Sequence, residues 1–277
     1  MATKKGYLFG YYKNEAEFFF KSIRRLHENF DADDLHRLRV SIKRIRTIYR
    51  LLEEFSDGRF DGQKHYSFFR KIFNQAGKVR ELQVNRLLIL ENGNSSGKLK
   101  FYLHALDKKK EKYSSSFIRN LKQINTPELK RDVKKIKKRC KKIGNDYFLS
   151  KALELINSEI KTIKQLQDIS TQNANIHKIR KHLKILYSLV KLSHSIKPIP
   201  ELKKLKLTVK ETEESLGLWH DRIILLSSLK KFKQDNRRQA LHIKKLIVSV
   251  EKQNEVLLSV SLSKMGSIFK SLPKQLC

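Results

Sequence analysis

Cysteine is almost absent from this chain. Cys140 and Cys277 are the only two among 277 residues. They provide neither a disulfide framework nor the spacing of a metal site, and a reducing compartment, the cytoplasm, fits them. Proline (4) and glycine (10) are also scarce, which argues against a turn-dense β fold. No apolar run approaches the roughly 18 residues of a spanning helix, so no membrane segment is expected. The opening MATKKGYLFGYYKNE lacks the apolar core of a secretory signal, and none is expected. Nucleophilic triads, glycine-rich phosphate loops and zinc spacings are missing. Acid is the other shortage: 28 Asp and Glu stand against 61 Lys and Arg, a formal charge of +33. Such a field draws polyanions and repels itself, so a bound counter-anion should favour the folded state.

What the chain does have is helix-forming composition and one unusual segment, Leu35 to Phe55. At 3.6 residues per turn, Leu35, Leu38, Ile42, Ile45, Tyr49 and Leu52 form an apolar seam. His36, Arg39, Lys43, Arg46 and Arg50 fall on its edge, within an arc of roughly 80°. No carboxylate interrupts this ladder before Glu53, while Arg37 and Arg44 fall on what reads as the solvated face. Cations on the edge of a packing seam need water or an anion, because burying them unpaired costs several kcal/mol each. Snorkelling from a core rim is the plain alternative. A phosphate chain suits the ladder better: Arg forks bind phosphate oxygens, Lys acts as a point charge, and His can donate.

The pattern recurs. From Ile176 the chain reads IHKIRKHLKILYSLVKLS, with Ile176, Ile179, Leu183, Leu186 and Val190 as the seam and His177, Arg180, Lys184, Tyr187 and Lys191 on the edge. Each copy is followed by a glycine motif, Gly77-Lys-Val-Arg80-Glu81 and Gly217-Leu-Trp-His220-Asp221. The spacing from His to Gly is 41 residues in the first copy and 40 in the second. Two signals at one spacing imply an internal duplication.

These residues resemble the CHAD family (conserved histidine α-helical domain), which carries His-x2-Arg-x3-Lys helices in both halves, followed by Gly-x2-Arg-Asp or Gly-x2-His-Asp turns. The resemblance covers essentially the whole chain. Glu81 stands where the family has Asp, Tyr187 where it has Arg, and Ile185 is the counterpart of Arg44. The resemblance implies an all-α fold of two antiparallel four-helix bundles related by a pseudo-two-fold, residues 1–144 and 145–277, together one CHAD-like domain. It implies non-catalytic binding of inorganic polyphosphate in a basic groove between the bundles, in the cytoplasm and in association with polyphosphate granules. The candidate polyphosphate ligands are His36, Arg39, Lys43, Arg46, Arg50, Arg70, Arg80, His177, Arg180, Lys184, Lys191, Lys203, Lys206, Lys210 and His220. No cofactor, metal or catalytic residue is expected, and oligomeric state is not readable. Glu81 and Asp221 read as orienting acids or helix-start residues.

Two rivals stand beside this reading. Charge alone would suggest non-specific nucleic-acid binding, although no helix-turn-helix, zinc finger or RNA-binding signature appears. His220-Asp221 would suggest a metal-dependent polyphosphate or triphosphate hydrolase, although further His and Asp ligands would have to converge there.

Along the chain, the pattern predicts a loose tail over 1–9 and helices over Tyr11–Phe30 and the first ladder, with Asp31 or Asp33 capping the latter. Phe55 to Arg59 reads as a turn. Gln63–Ala76, with Phe68, Phe69, Ile72 and Phe73 inward, is ended by Gly77, and Val79–Glu91 follows. Asn92–Gly97 reads as a loop. Lys98–Asn125 and a segment from Thr126 are helical, and Gly144 separates the halves. Phe148–Gln167 and the second ladder, preceded by Asn173, follow. Leu202–Leu216, Trp219–Lys233 and one long Asp235–Phe269 helix complete the chain. In the last, Leu241, Leu246, Val248, Leu257 and Leu258 are inward candidates. From Lys98 to Lys142 there are 17 bases and 4 acids, which reads as a solvated basic face, an outer collar for a long anion or a nucleic-acid patch.

Overall fold

The computed structural model describes residues 6–92, 99–124, 126–169, 173–236 and 240–270, and every regular element among them is an α-helix. The helices are α1 (Tyr7–Glu28), α2 (Ala32–Phe55), α3 (Gly62–Glu91), α4 (Lys100–Lys122), α5 (Thr126–Lys141), α6 (Asn145–Ile169), α7 (Asn173–Ile196), α8 (Pro200–Asp235) and α9 (Ala240–Lys270). Of the expected loop at Asn92–Gly97 all but Asn92 lies outside the described residues, as do Cys277 and the side chain of Asn173.

Local chemistry explains several boundaries. Asp31 caps α2, accepting from the backbone N–H groups of Asp33 (2.9 Å) and Asp34 (3.0 Å), while Asp33 lies inside the first turn. After Phe55 the chain reverses through Asp57 (φ 50°) and Gly58 (φ 77°). Two expected breaks do not occur. Gly77 sits inside α3 and Gly217 inside α8, both uninterrupted helices. Helix hydrogen bonds on both sides outweigh the roughly 0.5–1 kcal/mol that an internal glycine costs. Tyr7–Phe9 begin α1 and are not a tail, and Asp235 ends α8 instead of opening the last helix. Within α9, Leu241 and Val248 are exposed, because the inward seam runs through Ile243, Leu246, Ile247, Val250, Met265 and Ile268 on the opposite side of the helix.

The chain forms two compact units, each assembled from separate stretches. The first takes residues up to Arg80, Tyr113–Asn157 and Ser188–Ile199. The second takes Glu81–Lys112, Ser158–Tyr187 and the chain from Pro200 onward. Helices α3, α4, α6 and α7 thus contribute a stretch to each.

In the first unit α1 packs against α2 and α5 around an aromatic core. Tyr12 and Tyr49 share a hydrogen bond of 3.0 Å between their hydroxyls, and Phe60, Phe69 and His65 lie against the Tyr49 ring. His65 stacks on Phe60 and hydrogen-bonds Asp132 through Nδ1 at 2.6 Å, tying α3 to α5. The buried Cys140 thiol is pushed up to about 12 by desolvation, so it stays protonated and packs as a small apolar group. In the second unit α8 runs along α9. Buried Trp219 is fastened there by Asn254, whose amide, oriented to satisfy both groups, accepts from Trp219 Nε1 (3.2 Å) and donates to Trp219 O (3.0 Å).

Arg44 is half-exposed but tied to a buried acid. Its Nη1 donates to Glu15 Oε1 at 2.8 Å, and the Glu15 side chain is only 5% exposed. Desolvation raises the Glu15 pKa, with Arg44 and then Lys191 pulling it back. Arg44→Gln should cost about 2 kcal/mol at neutral pH, less than the roughly 3–5 kcal/mol of fully buried pairs because Arg44 reaches water. The loss should narrow as pH falls through the raised Glu15 pKa, since a protonated carboxyl has no charge to strand. Urea unfolding of both proteins across the acidic range reads it; a pH-independent difference would contradict the assignment.

Candidate anion-binding clusters

The first cluster belongs to the first unit. His36, on the exposed edge of α2, has its pKa lowered from the ordinary value, first by desolvation and then by the charges of Arg80, Lys43 and Arg39, with Asp33 opposing. Three cations from α2 and α3 therefore act on one imidazole. Arg39 reaches across to α3, where its Nη1 donates to Phe73 O at 2.8 Å and its guanidinium lies 4.4 Å from the Phe73 ring centre. Gly77, one turn beyond Phe73, makes this possible, because a Cβ there would stand 2.8 Å from Arg39 Nη1. Next along the edge, Arg46 lies over the Tyr66 ring at 4.7 Å and Arg70 at 5.9 Å, and Arg70 also donates to Gln63 Oε1 at 3.3 Å. Desolvation raises the Tyr66 pKa, and Arg46, Arg70 and Arg39 lower it, so these three guanidinium groups share one neighbourhood. Arg50 is exposed further along α2.

The second cluster belongs to the second unit and reproduces the same relations. His177 on α7 meets α8, with its ring 4.9 Å from His220 and 5.2 Å from Trp219. Arg180 lies against Gly217, whose Cβ, if present, would be 3.7 Å from Arg180 Nη2. The pairings match those of the first copy: ladder His with the residue three after the glycine (Arg80 or His220), and ladder Arg with the glycine itself. The surroundings differ. Burial lowers the Arg180 pKa, and Glu213 and Asp221 raise it, so this guanidinium has carboxylates nearby where Arg39 has a backbone carbonyl. Arg180 Nε is buried with no acceptor among the described residues. The His177 pKa is lowered by desolvation first, then by Arg180 and Lys181.

Other expected ligands lie elsewhere. Lys191, three turns beyond Arg180 on α7, belongs to the first unit, where its Nζ is 5.8 Å from the Tyr11 ring centre and its charge acts on Glu15. Lys184 is half-buried on α7. Lys203, Lys206 and Lys210 lie on the first turns of α8, well before Gly217, and Lys210 pairs with Glu214 at 3.6 Å. Glu81 is exposed, and its charge acts on Tyr102 of α4. The sequence reading missed Tyr66, Phe73, Trp219 and Glu213. A usable signal existed for two of them: Phe73 and Glu213 each stand four residues before the motif glycine, on its helix face. Among the described residues no three His, Cys, Asp or Glu side chains gather as a metal centre requires, and no helix is long and apolar enough to cross a membrane.

The arrangement defines an all-helical protein with a duplicated histidine–arginine cluster seated on a helical glycine. A protein-family model described as CHAD domain matches residues 19–230, and the chain belongs to that family. A crystal structure of the CHAD domain from the plant Ricinus communis is similar, with a TM-score of 0.73 at 16% identity, covering 92% of this chain and 89% of that one. No curated protein matches the sequence.

The two glycines should respond differently to alanine. Gly217→Ala should stabilise by about 0.5–1 kcal/mol, because 3.7 Å is ordinary contact and alanine favours the helix. Gly77→Ala should destabilise by about 1 kcal/mol. The same helical gain is outweighed by the roughly 1.5–3 kcal/mol of the displaced Arg39–Phe73 hydrogen bond. Paired urea midpoints decide; equal shifts in both variants would mean the notch at Gly77 has no energetic role.

Proposed function

We propose that this chain binds inorganic polyphosphate without catalysing its turnover, and that the halves 1–144 and 145–277 each supply one cluster of ligands. The supporting observation is that the charges of Arg80, Lys43 and Arg39 all act on His36, with Asp33 opposing. An excess of fixed cations around a neutral imidazole is stabilised by an anion bearing several charges. Phosphoryl oxygens suit the guanidinium forks, and successive phosphates of a linear polymer suit bases one helical turn apart. The buried Arg180 Nε lends support, since a donor of that kind costs about 1–3 kcal/mol while it lacks an acceptor. Association with polyphosphate granules in the cytoplasm is the setting this reading carries.

Lys43→Gln with Arg80→Gln should weaken long-chain polyphosphate binding by roughly tenfold or more, as expected for loss of charge-assisted contacts. Arg180→Gln should weaken it by a similar factor. Titration calorimetry at fixed salt measures both. Unchanged affinity would end the proposal, as would an equal proportional loss for single-stranded nucleic acid. Release of phosphate from polyphosphate with Mg²⁺ would end the non-catalytic part.

Both histidines begin with depressed pKa values, so they are neutral at pH 7 in the free protein. A bound phosphate raises them, and binding then takes up protons. Affinity should therefore rise as pH falls from about 8 to 6. His36→Gln with His177→Gln should flatten the rise; a slope that survives in the double variant would assign the protons elsewhere.

A further inference from the structure

Helix α5 is the most one-signed surface of the described chain. Residues 126–142 carry nine Lys or Arg and two acids, Glu128 and Asp132. Asp132 does not offset the bases, because it is buried and holds His65 at 2.6 Å. Leu129, Val133, Ile136 and Cys140 are buried beside it, so the core-facing arc spans only roughly 100°. The bases spread over the rest, an arc of roughly 200°. Lys130, Lys137 and Lys141 form one row, Arg131 and Lys135 a second, and Lys134 and Lys138 lie on the crest between them. Among the described residues none of these seven forms an ion pair, whereas Lys13, Arg44, Arg86, Lys151, Lys210 and Lys230 all do. Like charges at i and i+4 destabilise a helix, and α5 repeats that spacing along its length.

The width of this arc selects the partner. A single polyanionic thread needs one row of cations, as on the edge of α2. A flat anionic membrane also meets one side of a helix, and insertion would need an exposed apolar face, which α5 has committed to the core. Two cationic rows with a crest between them match an anion that flanks the helix on both sides. The major groove of B-form DNA does this: it is about 12 Å wide, a helix is about 10–12 Å across, and phosphates line both walls. The exposed arc is Lys and Arg, without Asn or Gln to read adenine, so recognition is of the backbone and not of sequence. The A-form major groove of duplex RNA is too deep and narrow to admit the helix.

We infer that α5 is a docking surface for the phosphate backbone of duplex DNA, separate from the clusters on α2–α3 and α7–α8. The test compares full-length protein with a variant carrying Lys130→Gln, Lys134→Gln, Lys138→Gln and Lys141→Gln. A charge-matched control carries Lys161→Gln, Lys244→Gln, Lys245→Gln and Lys252→Gln, all exposed positions. Probes are a mixed-sequence DNA duplex of about 20 base pairs, an RNA duplex of equal length, phosphatidylserine vesicles and long-chain polyphosphate. The α5 variant should bind duplex DNA at least about tenfold more weakly than the control, with the salt slope reduced by roughly 3–4. Polyphosphate affinity should fall no further in it than in the control. In the unmodified protein, duplex DNA should shield Lys134 and Lys138 from acetylation. Equal losses in both variants, absence of shielding, or RNA or vesicles bound as tightly as DNA with the same α5 dependence would overturn the inference. Loss of polyphosphate binding in the Lys43 and Arg80 variant bears on the other reading alone.

Discussion

A guanidinium lying in the gap left by a missing Cβ couples α2 to α3. A Cβ at position 77 would stand 2.8 Å from Arg39 Nη1, so the guanidinium would have to shift from its place on Phe73 O. An internal glycine costs about 0.5–1 kcal/mol of helix stability, while a charged hydrogen bond of this kind returns roughly 1.5–3 kcal/mol. The exchange is favourable, and it also fixes the azimuth of α2 against α3. With α2 held by that contact, Lys43 and Arg80 come to the same imidazole from two helices. The charge density around His36 is thus a product of packing, not only of composition.

The same economy accounts for the disposition of the other cations. The chain carries far more base than acid, so its few buried carboxylates are spent where helices must be joined. Glu15 holds Arg44 between α1 and α2, Asp132 holds His65 between α3 and α5, and Glu159 holds His182 between α6 and α7. Each buried acid used as a joint is one fewer counter-charge at the surface. Many of the remaining bases gather on α5 and along the ladder edge, where they raise the local positive field.

How much of this could be read from residues alone depended on whether a feature was local. The ladder was legible because His36, Arg39 and Lys43 share a face at helical spacing, and the duplication because the His-to-glycine interval repeats. Asp31 was legible as a cap because capping involves only the next three residues. Gly77 and Gly217 read as breaks because local propensity favours that, and for Gly77 the feature that uses the missing Cβ, Arg39, lies on a different helix. The ion pair of Arg44 was not legible for a similar cause, since its partner Glu15 is 29 positions away. Lys191 kept its place in the repeat frame, but the corresponding length of α7 belongs to the first unit and faces Tyr11. In α9, Leu241 and Val248 were chosen by hydrophobicity, while phase put them outside.

Duplication preserved the geometry and let the chemistry drift. Position three after the glycine is Arg80 in one copy and His220 in the other, and each meets the ladder histidine of its own unit. Position four before it is Phe73 or Glu213, which changes what the ladder arginine faces from a neutral carbonyl and a ring to a carboxylate. Arg180 thus feels Glu213 and Asp221, whereas the Arg39 guanidinium meets the Phe73 carbonyl and ring. Carboxylates that steady a guanidinium also compete with a phosphate for it. The first cluster sets three cationic charges, Arg80, Lys43 and Arg39, against His36. The second sets His177 against the Trp219 and His220 rings, with Arg180 and Lys181 acting on it. One helix-pair geometry thereby carries two electrostatic environments, set by the single residues three after and four before the glycine.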